Sequence, residues 1–302
     1  MVDFLMGDSV VIPLDKIDTG KILFETPLFS VNEQNSKSDN PDVSISVKSV
    51  SREKYEVQFN QVVSEIKKGN SFLVNLTCET PIEINCELKD IYRASKAKYK
   101  LWYRDRFVVF SPESFVKINN GHISSYPMKG TIDADIPNAA ETILGNTKEA
   151  AEHSTIVDLI RNDLSIVSDK VEVSRFRYID ELKTDRGKIL QVSSEITGKL
   201  SDDYNTVIGD ILFCLLPAGS VTGAPKKKTV QIISDTESYK RGYYTGIFGI
   251  FDGTNLDSGV MIRFIEKKSD GFVYKSGGGI TAYSNIDDEF NEMNQKIYVP
   301  IN

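Results

Sequence analysis

The sequence predicts an α+β fold in a single large domain spanning residues 1–302, and three observations carry that prediction. Short apolar runs bounded by Gly, Pro and Asn read as strands, and stretches with apolar residues three and four apart read as helices. The two kinds follow one another without strict alternation, which argues against a doubly wound β-α-β chain. Val260–Lys267 and Gly271–Ser276 lie a short turn apart, the arrangement of an antiparallel pair.

Taken in order, Val10–Ile12 and Ile22–Phe24 predict short strands among the Pro and Gly of residues 1–30. Residues 31–42 are the most polar segment and predict a flexible loop. Ser51 signals a helix start, Tyr55, Phe59, Val62, Val63 and Ile66 keep helical spacing, and Gly69 stops it. Strands are predicted at Phe72–Thr77, around Ile82, at Arg106–Ser111, Ser114–Asn119 and Ile123–Tyr126, with a short helix at Leu88–Lys98. Residues 133–146 read as loop or short helix, and Thr147–Ser165 as a strong helix. Val171–Tyr178, Lys188–Leu200 and Thr245–Asp252 read as further strands, Tyr204–Leu216 and Ala224–Thr236 as helices, and Asp287–Ile297 as a closing helix.

Composition narrows the function. The hydrophobic fraction of 40% over 302 residues is enough for a sizeable core. A formal charge of −7 argues against binding nucleic acid or a membrane surface, which needs a basic face. Cys78, Cys86 and Cys214 are an odd number without metal-type spacing, as expected of a reducing cytoplasm. With His122 and His153 the two histidines, a His-rich zinc site is not expected. Neither a signal peptide nor a membrane-spanning run is expected.

Four stretches carry candidate chemistry. Within Tyr126–Thr131, Pro127 cannot donate to a sheet ladder, so pairing is expected to stop there. Gly130 would let the chain turn, presenting Lys129 from a strand end. On the Thr147–Ser165 helix, at ~100° per residue, Glu149 and Glu152 share a sector with Ile156, Leu159, Ile160 and Asp163. Carboxylates on an apolar stripe repel one another and cost desolvation unless a cation joins them. The closing helix repeats the pattern with Glu289, Glu292 and Lys296, and such oxygen-only donors suit Mg²⁺. Ser276–Thr281 holds three consecutive glycines that could turn backbone N–H groups toward an anion such as a substrate carboxylate. Gly277, Gly279 and Ala282 match a dinucleotide fingerprint in letters, but no β-α-β unit can follow them. Gly219–Lys226 is a second glycine-spaced turn, either the lining of a site or a well-made helix cap.

Together these stretches resemble the chorismate-utilising enzymes, which include the anthranilate, isochorismate, salicylate and aminodeoxychorismate synthases. The resemblance covers roughly residues 50–298. It rests on Ser111-Pro112-Glu113-Ser114-Phe115, Pro127–Thr131, Glu152-His153, Ile156–Leu164, Gly219–Lys226, Tyr244-Thr245-Gly246 and Gly277–Ile280, followed by Glu289, Glu292 and Lys296. The lysine of Pro127-Met128-Lys129-Gly130-Thr131 is similar to the aminodeoxychorismate synthase branch, where anthranilate and isochorismate synthases carry alanine.

The resemblance implies two facing antiparallel sheets flanked by helices, and the reaction of chorismate and ammonia to 4-amino-4-deoxychorismate on the way to 4-aminobenzoate and folate. It implies Lys129 as nucleophile at C2 and Glu113 as general acid for the C4 hydroxyl. Glu152 and Glu292 would hold Mg²⁺ with Glu149 and Glu289 in support. Thr131, Thr222, Tyr244, Arg263, Gly278, Gly279 and Lys296 would bind the substrate. No amidotransferase domain is expected in this chain, so ammonia is expected from a separate glutaminase subunit in a heterodimer. Three departures accompany the resemblance: Gln191 stands where relatives often carry histidine, Ile132–Pro137 lacks an arginine-containing loop, and residues 1–50 are short and divergent. Two alternatives stay open: an anthranilate or isochorismate synthase, and a catalytically weakened chorismate-binding partner subunit.

Overall fold

The computed structural model describes residues 1–32, 42–48, 50–184 and 187–301. Most of the polar segment expected to be a loop, residues 33–41, lies outside the described residues. In chain order the first elements are β1 (Ile22–Glu25), β2 (Ser30–Val31), β3 (Ile45–Val47), α1 (Arg52–Lys67), β4 (Leu73–Ile84), α2 (Leu88–Ala94), β5 (Tyr99–Tyr103) and β6 (Phe107–Ser111). Then come β7 (Ser114–Asn119), β8 (His122–Ser125), β9 (Met128–Asp133), α3 (Ala139–Gly145), α4 (Thr147–Val167), β10 (Asp169–Thr184), β11 (Gly187–Lys199) and α5 (Ile208–Leu215). The rest are β12 (Gly223–Ala224), α6 (Lys226–Thr236), β13 (Ile247–Phe251), β14 (Leu256–Val260), β15 (Phe264–Lys268), β16 (Gly271–Ile280) and α7 (Ile286–Gln295).

These elements group into two compact units. The first comprises Met1–Glu113, Val221–Ile250 and Ser258–Ile301, and the second Ser114–Ser220 with Phe251–Asp257. The α+β class and the antiparallel sheets agree with the sequence prediction.

The first unit is built on an antiparallel sheet ordered β12-β4-β16-β15-β6-β5-β1-β2, with β3 on the far end of β4. The predicted hairpin is present, with Phe264 facing Lys275 and Lys267 facing Phe272, although its first strand begins at Phe264 rather than Val260. Helix α1 starts where Ser51 accepts from the Lys54 N–H. Its Tyr55, Phe59, Val62 and Ile66 recur at helical spacing and are buried against Val74, Leu76 and Cys78 of β4, Ile232 and Ile233 of α6, and Met293 of α7. A second cluster gathers Tyr99, Leu101, Phe107 and Phe264, and a third gathers Leu88, Ile91, Trp102 and Tyr274. The strand expected at Val10–Ile12 does not form. The Val10 N–H bonds to the Met1 carbonyl, while Val11 and Ile12 are exposed.

In the second unit the long β10–β11 hairpin is joined by β8 and β9, which both pair β11, and by β7, which pairs β8. Helix α4 packs against β9, β10 and β11. It buries His153, Val157, Ile160 and Leu164, at i, i+4, i+7 and i+11. Glu149, Glu152, Ile156, Leu159 and Asp163 flank that stripe, half-buried.

Several boundaries differ from expectation for local reasons. Leu88–Lys98 shortens to α2, which ends at Ala94 because Ser95 is extended. Tyr204–Leu216 splits into a 3-10 turn at Tyr204–Thr206 and α5. Ala224 pairs Leu73 as strand, so the following helix begins only after Pro225, at Lys226.

Candidate functional site

Each unit presents a lysine against a pair of glutamates. In the second unit the pair comes from α4, whose first turn is capped where Asn146 Oδ1 accepts from the Glu149 N–H at 3.1 Å. The lysine comes from β9, and here the structure corrects the expected strand end. Pairing with β11 is interrupted at Pro127, whose carbonyl accepts from the Ser194 N–H, and resumes at Met128. Met128 faces Ser193 and Thr131 faces Gln191, so Lys129 and Gly130 together oppose the single residue Val192. Two residues against one is a β-bulge, which twists a strand and redirects a side chain. Gly130 takes φ +78°, and a Cβ added there would lie 3.3 Å from Glu149 Oε2.

The bulge aims Lys129 at α4. Its Nζ lies 2.8 Å from Glu152 Oε2, with the two side chains 35% and 27% exposed. An ion pair this open to solvent contributes about 0.2–1 kcal/mol to stability, so fold stability alone does not account for it. Glu149 Oε2 is buried and has no hydrogen-bond partner, a costly arrangement unless a donor or cation meets it. One turn on, the buried His153 joins Nε2 to Ser194 Oγ at 2.7 Å, and the Arg177 N–H donates to the same hydroxyl at 2.9 Å. Burial, helped by Arg177 and Lys129, lowers the His153 pKa to about 4. Thr131 is exposed, and Gln191 serves as its ladder partner.

In the first unit the glutamates come from α7. Lys296 Nζ lies 2.7 Å from Glu292 Oε1 and 2.8 Å from the Gly277 carbonyl, and Ser284 Oγ donates to Glu289 Oε1 at 2.8 Å. A Cβ on Gly278 would stand 3.3 Å from Glu289 Oε2 and 3.8 Å from both Glu292 Oε1 and Lys296 Nζ. The missing side chain at Gly278 thus leaves the space that these three polar groups surround. Arg263, held at φ +52°, donates to the Lys296 carbonyl at 3.4 Å and lies over the Tyr298 ring.

The glycines themselves are not the expected turn. β16 runs on through Ile280, with Gly277 facing Thr77, Gly278 facing Leu76 and Gly279 facing Asn75 of β4. The two backbones approach so closely that a Cβ on Gly277 would meet the Leu76 carbonyl oxygen at 2.2 Å. Asn75 N–H turns away to the Thr222 carbonyl and Thr77 N–H to Glu237. Bonded and non-bonded pairs alternate along an antiparallel ladder. Gly278 therefore closes the bonded pair with Leu76, while Gly277 and Gly279 direct their polar groups to the other side of β16, where Lys296 meets Gly277.

Thr222 and Tyr244 are both buried, and burial raises the Tyr244 pKa. Glu113 is half-buried between β6 and β7, its N–H held by Ser111 Oγ and its carbonyl by the Val260 N–H.

The structure thus joins Lys129, Glu149 and Glu152 in one unit, and Gly278, Glu289, Glu292, Lys296 and Arg263 in the other. Within either unit, among the described residues, no group of three or more His, Cys, Asp or Glu gathers to hold an ion. The donors are nonetheless oxygens suited to Mg²⁺. The unpartnered Glu149 Oε2 and the space at Gly278 fit an added cation or polar ligand. No helix among the described residues is long and apolar enough to cross a membrane.

Sequence reasoning missed a buried ion pair in the first unit. Arg241 grips Glu237 through Nε at 2.9 Å and through NH2 at 2.6 Å. The two residues are four apart, as on a helix, but the chain between them is not helical.

A model of the chorismate binding enzyme family matches residues 15–302. An uncharacterized PabA-like protein of Haemophilus influenzae is 56% identical over 247 residues, which are 82% of this chain and 75% of that protein. Aminodeoxychorismate synthase component 1 of Salmonella typhimurium is 28% identical over 263 residues, 82% of this chain and 57% of the relative. Among solved structures, anthranilate synthase component I from Streptococcus pneumoniae matches with a TM-score of 0.73 at 26% identity, over 86% of this chain and 59% of that one.

Proposed function

The chain belongs to the chorismate binding enzyme family, and from that premise we propose that it is an aminodeoxychorismate synthase component 1, converting chorismate and ammonia to 4-amino-4-deoxychorismate. The observation that supports the choice among chorismate reactions is Lys129. It is an amine set on a β-bulge, directed at a carboxylate, where no demand of the fold calls for one.

In this reading the Lys129 amine attacks chorismate C2. The two ring double bonds shift and the C4–O bond breaks. Glu113 gives its proton to the departing hydroxyl, which leaves as water. Ammonia then adds at C4 and returns a proton to Glu113, the double bonds shift back, and the lysine leaves C2 with the bonding pair. An amine attacks only once deprotonated. Arg263 and Lys296 supply cations for the substrate carboxylates, with Arg263 as a planar fork. Thr131, Thr222, Tyr244 and the Gly279 backbone complete the binding set, while the Gly278 backbone is engaged with Leu76 and that residue contributes only the space its missing side chain leaves. The pairs Glu149 with Glu152 and Glu289 with Glu292 would supply the ligands of Mg²⁺, with Glu152 and Glu292 direct. When bound, the ion would neutralise substrate carboxylate charge. Ammonia would come from a separate glutamine amidotransferase subunit, in a cytoplasmic heterodimer serving folate synthesis.

The test is direct. Purified protein is incubated with chorismate, Mg²⁺ and ammonium salt, and the product is identified by mass and absorbance. Aminodeoxychorismate is expected. Anthranilate or isochorismate as product refutes the branch, and absence of turnover points to a chorismate-binding subunit instead. Lys129→Ala should abolish or redirect the amination, and unchanged activity in that variant rules out covalent catalysis by Lys129.

A further inference from the structure

The Glu237–Arg241 pair is buried and fully satisfied. A guanidinium has five N–H donors, and Arg241 places them all. Nε donates to Glu237 Oε2, NH2 to Glu237 Oε1 and the Asn75 carbonyl, and NH1 to the Val221 carbonyl and Thr245 Oγ1. Glu237 Oε1 also accepts the N–H of Thr77 at 2.9 Å and its hydroxyl at 2.7 Å. The guanidinium lies over the Phe4 ring, and buried Lys275 donates to the Arg241 carbonyl at 2.9 Å.

Stability is a poor explanation for such a pair. Removing two charges from water costs about as much as their attraction returns, and apolar residues of similar volume serve as well. What the fork does supply is geometry. It ties together Asn75 and Thr77 of β4, Val221 at the end of the Gly219 turn, and Thr245. Each of these adjoins a residue of the proposed binding wall or, for Thr77, the neighbouring Gly277, whose carbonyl holds Lys296. Asn75 and Thr77 face Gly279 and Gly277, Val221 precedes Thr222, and Thr245 follows Tyr244. By holding the Thr77 N–H to Glu237, with the Asn75 N–H held by Thr222, the network fixes which pair of the β4–β16 ladder is bonded. It thereby fixes which way Gly277 and Gly279 direct their polar groups.

We propose that Glu237 and Arg241 are positioning residues for chorismate, acting at a distance from it by setting Thr222, Tyr244 and the outward-facing backbone of Gly277 and Gly279. The inference rests on the chorismate reading and adds to it the element that shapes the carboxylate-facing wall. A positioning role and a structural one separate in their signatures. Loss of a binding geometry raises Kd and KM, whereas loss of folded protein lowers the active fraction with Kd unchanged.

The experiment is calorimetric titration of chorismate, with Mg²⁺, into the full chain. It compares wild type, Arg241→Lys, Thr77→Val and Val62→Ala, each with its Tm. Thr77→Val removes one hydroxyl donor to Glu237 and leaves the ion pair standing, so it remains informative if Arg241→Lys does not fold. Val62→Ala, in the buried face of α1, controls for lost stability. Roughly ten- to hundred-fold weaker binding is expected for Arg241→Lys, a smaller, few-fold loss for Thr77→Val, which keeps the Thr77 N–H on Glu237, and wild-type Kd at a lowered Tm for Val62→Ala. Wild-type Kd in Thr77→Val or in folded Arg241→Lys overturns the proposal, as does an equal loss in Val62→Ala. Wild type that binds no chorismate fails earlier, refuting the functional reading and this inference with it.

Discussion

His153→Gln removes the pH sensitivity that the second unit carries in its interior. The imidazole is 1% exposed, and its pKa falls from 6.5 to about 4 because burial disfavours the cation and Arg177 and Lys129 add positive potential. The folded value lies below the unfolded one, so the unfolded chain takes up the proton first. The contribution is complete above about pH 6.5 and is lost as pH falls toward 4. At about 1.4 kcal/mol per tenfold, the full loss is roughly 3 kcal/mol, of which about 2 kcal/mol has gone by pH 5. Glutamine can keep a hydrogen bond to Ser194 Oγ and cannot take the charge. Urea unfolding of wild type and variant at about pH 7, 6 and 5 reads the effect as a difference, in which the carboxylates cancel. The stability gap between the two proteins should move in favour of His153→Gln by about 2 kcal/mol over that range. A gap constant within about 0.5 kcal/mol would refute a neutral, buried imidazole.

Other expectations are simpler to read. Asn146→Ala deletes the cap on the Glu149 N–H and should cost about 1 kcal/mol in denaturant unfolding. Gly277→Ala places a Cβ 2.2 Å from the Leu76 carbonyl oxygen, which has no room to yield, and should cost about 3 kcal/mol or more or prevent folding. Gly279→Ala meets the Leu73 side chain at 3.0 Å and should be milder by thermal melting, and equal melting temperatures would contradict the close approach of β16 to β4. Treatment with EDTA should abolish turnover of chorismate and added Mg²⁺ should restore it, and activity indifferent to chelation would exclude the glutamate pairs as ligands of an essential ion.

The elements that the sequence revealed best are those whose period is set by burial. Tyr55, Phe59, Val62 and Ile66 announced α1, and Glu149 and Glu152 stood out on α4 as sharing its apolar stripe, although the structure sets them half-buried beside the stripe of His153, Val157, Ile160 and Leu164. Lys129 was visible as a candidate, but its setting was misread. Proline ends a ladder as a donor, whereas here the carbonyl of Pro127 keeps the strand in place and the bulge does the aiming. The three glycines misled in the same manner. Glycine marks a turn by its freedom or a strand by its smallness, and the deciding neighbour, Leu76, lies some two hundred residues earlier. The Glu237–Arg241 pair was hidden for a related reason, since its partners Asn75, Thr77 and Val221 are brought in by the fold. His153 read as one histidine of two, and its link to Ser194 had no local signal.

The way the chain threads its two units also bears on how it is made. The second unit is nearly continuous, Ser114–Ser220, and its main partners β8, β9 and β11 emerge from the ribosome together. The first unit includes Met1–Glu113, yet β4 is joined to the rest of its sheet through β16, and the α1 core is closed by Met293. Until residues 271–295 are synthesised, β4 has an unpaired edge and α1 an uncovered apolar face, the features that invite aggregation. The strands of the second unit thus meet soon after they are made, whereas β4 and α1 depend on β16 and α7, which follow them at a long distance along the chain.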